Sequence, residues 1–179
     1  SIRIIAVGVG AGLLSGLLMV AALQPVGIWP LIFVGLVPMV IAQHQLLPRT
    51  WCWLPVSVTA FIYVLGSYSQ IFLVHATWYA LTAPAVVAAV VAPLAFVDRV
   101  LGDRFRRAFL VLQMPVIWTG LDALRQDFIL SGTGGYPVYA LSYQPPLIQP
   151  ISIFGISGLE LLILVINYAC LLYTSPSPR

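Results

Sequence analysis

Six apolar runs fill this chain, at approximately 4–23, 28–45, 52–72, 76–97, 108–128 and 147–169. Each is close to the roughly 20 residues that a helix needs to cross about 30 Å of hydrocarbon. In lipid every backbone amide and carbonyl needs a partner inside the protein, so such runs fold as helices packed side by side. The breaks between them are short: QPVG at 24–27, LPRT at 47–50, a weak one near His75, and the charged stretch DRVLGDRFRR at 98–107. Only 7% of the residues are charged, against roughly 25% in soluble domains. That deficit leaves too little charge for a water-facing surface. The expected fold is all-α, a polytopic transmembrane bundle of about six spans over residues 1–169.

Residues 170–179, CLLYTSPSPR, change composition abruptly after a good membrane helix. The string matches one reading frame of a common sequencing adapter. Cys170 to Arg179 is therefore read as a non-native tail and set aside, and the natural chain is expected to continue past Ala169.

Arginines orient the bundle. With the N-terminus inside, Arg3, Arg49, Arg99, Arg104, Arg106 and Arg107 share one side, and Arg125 falls near the other. Positive charge gathers on the cytoplasmic side of membrane proteins. The expected arrangement is multi-pass, with a cytoplasmic N-terminus and the loop 129–147 on the outer, periplasmic side. The first run follows Arg3 and has only a weak cleavage motif near Val20 to Ala22, so it reads as an uncleaved anchor. Its Gly8, Gly12 and Gly16 line one helix face and allow close helix approach. Pro38, Pro55, Pro84, Pro93 and Pro115 lie in or near spans and predict kinks.

Composition and motifs exclude several functions. No basic cluster interleaved with aromatics supports nucleic-acid binding. Cys52 and Cys170 are too few for a disulfide framework, and no Cys/His cluster suits a metal. His44 and His75 fall at opposite membrane edges and read as interfacial residues. Cys52 with His44 as base would make a nucleophile only if its thiol were activated. A Ser131, His75 and Asp127 triad requires geometry that a sequence cannot supply. No cofactor is implied.

The pattern changes between Trp118 and Glu160. Trp118, Asp122 and Arg125 fall on one helical face, and Asp122 can pair with Arg125. Ionisable residues at this depth are functional candidates by default, here for a lipid headgroup or the rim of a second domain. The helix then runs into Gly132, Gly134 and Gly135, followed by Tyr136, Pro137, Tyr139, Tyr143, Gln144 and Gln149. Amphipathic aromatics suit a lipid–water boundary. They either anchor this loop or border a cavity that admits acyl chains. Glu160 lies inside the last apolar run, where charge is expensive unless paired or watered. It is expected to face Arg125, a polar cavity, or a hydrogen-bond partner in the bundle.

Three segments carry a resemblance. ALQPVGIWPLIFVGLVPMV at 22–40 resembles a Pro-x-x-x-Trp-Pro turn. Trp118 to Arg125 resembles a Trp-x-x-x-Glu-x-x-Arg helix end, with Asp122 replacing Glu. GYPVYALSYQ and LIQPISIFGISGLELLILVIN resemble a Gly-Phe-Pro-Trp loop and the helix after it, with Val138 in place of Trp and Glu160 in place of Ser. In this order they resemble the N-terminal membrane portion of bacterial apolipoprotein N-acyltransferase. That resemblance implies an acyltransferase with a membrane phospholipid as acyl donor and an apolipoprotein as acceptor. It also implies a Glu-Lys-Cys triad in a nitrilase-like domain beyond these helices. The sequence has no lysine, so no such triad can be assembled from it. On this reading Trp118, Asp122, Arg125, Tyr136, Pro137, Tyr143, Gln144 and Glu160 are lipid- or substrate-contacting candidates, with no catalytic residue present. The competing reading is a non-enzymatic polytopic protein, a transporter half or assembly subunit. It would use Glu160 and Arg125 as an intramembrane relay and the glycine face as an oligomer contact.

Overall fold

A computed structural model describes residues 2–68, 77–104, 107–126 and 135–174. Every regular element among them is helical. Five helical segments are long and apolar enough to cross a membrane, and Val111–Leu124 is a shorter apolar one. These correspond in order to the six apolar runs. His75, Asp127, Ser131, Gly132 and Gly134 lie outside the described residues.

Helix α1 (Ile2–Ala22) has no polar stripe, so its packing is set by size. A Cβ added at Gly12 would sit 2.7 Å from Val58 Cβ, and one at Gly16 would sit 2.6 Å from Ile62 Cβ. Both partners belong to α3 (Trp53–Ser67). The glycine face is thus consumed by backbone-close packing inside the bundle, and an oligomer contact through it is ruled out. Thr59 on α3 adds a hydrogen bond to Gly12 O at 3.1 Å.

The second span is broken into pieces. It comprises a 3₁₀ turn at Trp29–Phe33, helix α2 (Val37–Ile41) and a π-helical turn at Ala42–Leu46. Proline explains part of this, because Pro30 and Pro38 each sit in the first turn of a piece and tolerate only that position without loss. A broken segment leaves amides and carbonyls that lipid cannot satisfy. Two side chains meet that need. The Met39 amide donates to Ser15 Oγ at 2.9 Å. The Leu36 amide donates to Asn167 Oδ1 at 2.9 Å, and Asn167 Nδ2 donates to Ile32 O at 2.8 Å.

Helix α4 (Thr77–Arg104) contains Pro84 and Pro93, and α5 (Arg107–Arg125) contains Pro115. Pro55, by contrast, lies in the first turn of α3. Ser57 on α3 donates to Ala88 O on α4 at 2.9 Å. After a 3₁₀ turn at Pro137–Leu141 and the short α6 (Pro145–Ile148), α7 (Ile151–Thr174) closes the bundle, interrupted at Gly155, where φ is +70°. An apolar CLLY continues a helix whatever its origin. The chain therefore alternates direction, with Arg3, Arg49, Arg99 and Arg104 at one end (the basic end) and the turns at 23–28 and 135–150 at the other (the loop end).

Candidate functional site

A cleft of about 560 Å³ opens within this bundle. Its back wall consists of buried apolar residues, among them Met19, Val56, Ala60, Val91 and Met114. Its mouth is marked by lining residues that are themselves exposed. On α4 these are Val86 (61%) and Val90 (59%), and on α5 Leu121 (40%) and Leu124 (67%). The opening therefore faces sideways between α4 and α5, toward lipid rather than toward either bundle end.

The roof is the turn that starts at Gly135. Gly135 has φ +76°, where a side chain is strained, and an added Cβ would meet the Tyr68 ring at 2.9 Å. Tyr63 on α3 donates its hydroxyl to Gly135 O at 2.9 Å. Tyr136, fully buried, donates to the Asp122 backbone carbonyl on α5 at 2.6 Å. It also meets the Tyr139 ring edge to face at 6.4 Å. Tyrosine fits here because its ring fills apolar space while its hydroxyl satisfies a carbonyl. The turn is pinned to two helices on opposite sides of the cleft.

The predicted site residues separate into groups. Trp118, Asp122 and Pro137 line the cleft. Trp118 and Asp122 are one helical turn apart on α5, which puts both on the same wall. Asp122 is buried. The Arg125 side chain, and with it the expected Asp122–Arg125 pair, lies outside the described residues. Tyr136 pins the roof from within the core. Tyr143 is 72% exposed, and Gln144 is half-buried at the start of α6. Neither is among the described lining residues. Glu160 is fully buried on α7 and likewise does not line this cleft. Val138, where the resembled loop has Trp, belongs to the 3₁₀ turn and packs into the core.

Sequence reasoning missed Tyr63, Tyr68, Met114 and Tyr168. They lie in apolar runs where a helix core and a cleft wall have the same composition. It also missed a polar cluster at the basic end. Asp98 is fully buried on α4. His44 Nε2 lies 2.9 Å from its Oδ2, and Gln43 Nε2 donates to the same oxygen at 2.9 Å and to Ala95 O at 3.1 Å. Gln43 and His44 are consecutive. The wider π turn carries both toward one carboxyl, a recurrent use of such turns. Arg99 Nη1 donates to Gln43 O at 2.7 Å. Cys52 Sγ approaches Ala95 O at 3.8 Å, while His44 is engaged with Asp98. No group of three metal-ligating side chains occurs among the described residues.

A bundle of apolar spans around a laterally open, roofed cleft defines a multi-pass membrane protein. Its family is more specific: the chain belongs to the apolipoprotein N-acyltransferase N-terminal domain family, whose model matches residues 15–169. Neither a curated protein nor a solved structure matches the chain.

Proposed function

We propose that this chain is the membrane part of an apolipoprotein N-acyltransferase. The enzyme takes an acyl chain from a phospholipid and delivers it to the N-terminal diacylglyceryl-Cys of lipoproteins. The chain supplies the lipid-embedded platform. The Glu-Lys-Cys chemistry belongs to a nitrilase-like domain that follows these helices in the whole enzyme. The observation that carries this reading is the cleft. It is apolar, opens toward the bilayer between α4 and α5, and is capped by an irregular turn with Trp118 and Asp122 beneath it. Pockets of roughly 300–1,000 Å³ with a few polar groups among apolar walls are the usual form of small-molecule sites.

The protein sits in the inner membrane, with its basic end in the cytoplasm and the loop 129–147 in the periplasm. Trp118 and Asp122 stand where a headgroup would meet the roof, Tyr136 and Pro137 shape that roof, and Arg125 follows on the same helix. Tyr143 and Gln144 form its outer surface. Glu160 is fully buried on α7, one turn before the lining residue Leu164.

Two measurements test this. A Tyr143→Cys thiol should react with a membrane-impermeant reagent from the periplasm of intact cells. Reaction from the cytoplasm alone would overturn the topology. The natural coding sequence beyond Ala169 should open a further domain with one Glu, one Lys and one Cys in order. A stop codon soon after the last span would refute the enzyme.

A further inference from the structure

The cleft has a floor as well as a roof. Along α3 its lining runs from Val56 to Tyr68, which is about 18 Å at the 1.5 Å rise of a helix. Along α4 it runs from Ala83 to Leu94, about 16 Å on the same measure. One leaflet of hydrocarbon is about 15 Å, half of the about 30 Å core. The cleft therefore starts under the roof and ends just past the middle of the bundle. It matches one phospholipid tail in length and leaves no room for a tail to continue.

What stops it is a buried layer. Met39, Leu94, Met114 and Tyr168 line the inner end and belong to or pack against one core cluster, which also contains Ala95. Directly beneath that layer is the polar cluster. Gln43, one turn beyond Met39, bonds to Ala95 O and to Asp98, and Asp98 is one turn beyond Leu94. His44 closes on the same carboxyl at 2.9 Å. The π turn of the second span is thereby bolted to α4 at the level where the apolar lining ends. A tail tip that pushed farther would have to enter a layer of engaged, buried polar groups, which is unfavourable.

We propose that this layer sets acyl-chain length: Met114 and Met39 are the specificity-determining contacts for the tail tip, and the Gln43–Asp98–His44 cluster is the stop that holds them in place. The proposal rests on the cleft being the acyl site. Met114 carries it best, because it lies at the inner end on the helix that also bears Trp118 and Asp122. Methionine suits a tip contact, since it is unbranched and adapts to an irregular apolar shape.

The test uses the chain reconstituted in phosphatidylethanolamine nanodiscs. Two photoreactive lipids are compared, one with a diazirine at the tail terminus and one with it near the glycerol. Mass spectrometry locates the adducts. The terminal probe should label Met39, Met114 or Tyr168, and the upper probe Tyr63, Trp118 or Pro137. In Met114→Trp, labelling of the floor by a leaflet-length tail should fall about tenfold, the scale of overpacking a filled site. A shorter tail should be retained. Met114→Ala, which removes volume, should extend the accepted length and covers the case in which the tryptophan variant fails to fold. If terminal labels spread over lipid-facing residues such as Leu17 and Phe96 as in bulk bilayer, the cleft is not an acyl site and the proposed function loses its support. If the upper probe labels the roof while neither Met114 variant changes the length profile, the cleft holds lipid but the floor does not measure it.

Discussion

Replacing Asn167 with Leu should uncouple the second span from the last. The side chain is fully buried. It accepts from the Leu36 amide at 2.9 Å and donates to Ile32 O at 2.8 Å and Ile163 O at 3.0 Å. Leucine is close in volume, so the change removes hydrogen bonds and leaves little cavity. Two scales bound the effect. Interhelical hydrogen bonds in membranes average about 0.6 kcal/mol, because the separated helices find other partners; two such bonds give about 1.2 kcal/mol. A buried group left without any partner costs about 1–3 kcal/mol; two give about 2–6 kcal/mol. The second scale is closer to this case. Leu36 and Ile32 sit in a segment broken by Pro30 and Pro38, so a regular helix cannot re-form to take up the freed groups. The expected loss is about 2–3 kcal/mol, inside the lower part of that range. Detergent-titrated unfolding in mixed micelles measures it, and hydrogen exchange at the Leu36 amide localises it. A loss below about 0.5 kcal/mol, the usual reach of an uninvolved surface substitution, with Leu36 exchange unchanged, would refute the claim that Asn167 completes the broken span.

Other substitutions probe the remaining contacts. Gly12→Val should separate α1 from α3 and lower stability by about 1–3 kcal/mol through overpacking. Gly10→Ala, where an added Cβ meets nothing within 4 Å, should be neutral or slightly stabilising in the same unfolding titration. Tyr136→Phe removes the bond to the Asp122 carbonyl and should cost about 1 kcal/mol, seen as faster amide exchange in the turn at 135–141. His44→Ala leaves Asp98 buried beside Gln43 alone and should lose about 3 kcal/mol. A double-mutant cycle with Asp98→Asn should show coupling between the two, and strict additivity would count against the pair. Under the proposed function, Arg125→Ala should lower acyl transfer by the whole acyltransferase more than membrane insertion, and equal loss of both would make the residue structural.

Much of this architecture was legible in the sequence. Hydropathy fixed the number and order of the spans, because a helix is the only unpaired segment that lipid tolerates. The glycine spacing announced a close contact but not its partner, since any facing helix would serve. The state of the second span was hidden. Pro38 suggested a kink, whereas the break into 3₁₀, α and π pieces depends on Ser15 and Asn167, which lie far from it in the sequence. His44 read as an interfacial residue, because its partner Asp98 belongs to another helix. At the site, helical spacing put Trp118 and Asp122 on one face of α5, and both line the cleft. The same spacing could not show that Glu160 is buried on α7 without joining the cleft lining, although Leu164 and Tyr168, one and two turns farther on, do line it. Tyr63 and Tyr68 escaped notice because an aromatic in an apolar run carries no sign of where its hydroxyl ends.

The broken second span has a bearing on how the protein is made. Its Leu36 amide and Ile32 carbonyl are satisfied by Asn167, a residue synthesised more than a hundred positions later. While the ribosome works through the intervening helices, this early segment cannot rest in hydrocarbon with its backbone complete. It must be sheltered by headgroups, water or the insertion machinery until the final helix arrives. Membrane integration of this bundle is therefore finished from its far end, and a nascent chain halted before residue 167 would hold its second span in the bilayer poorly.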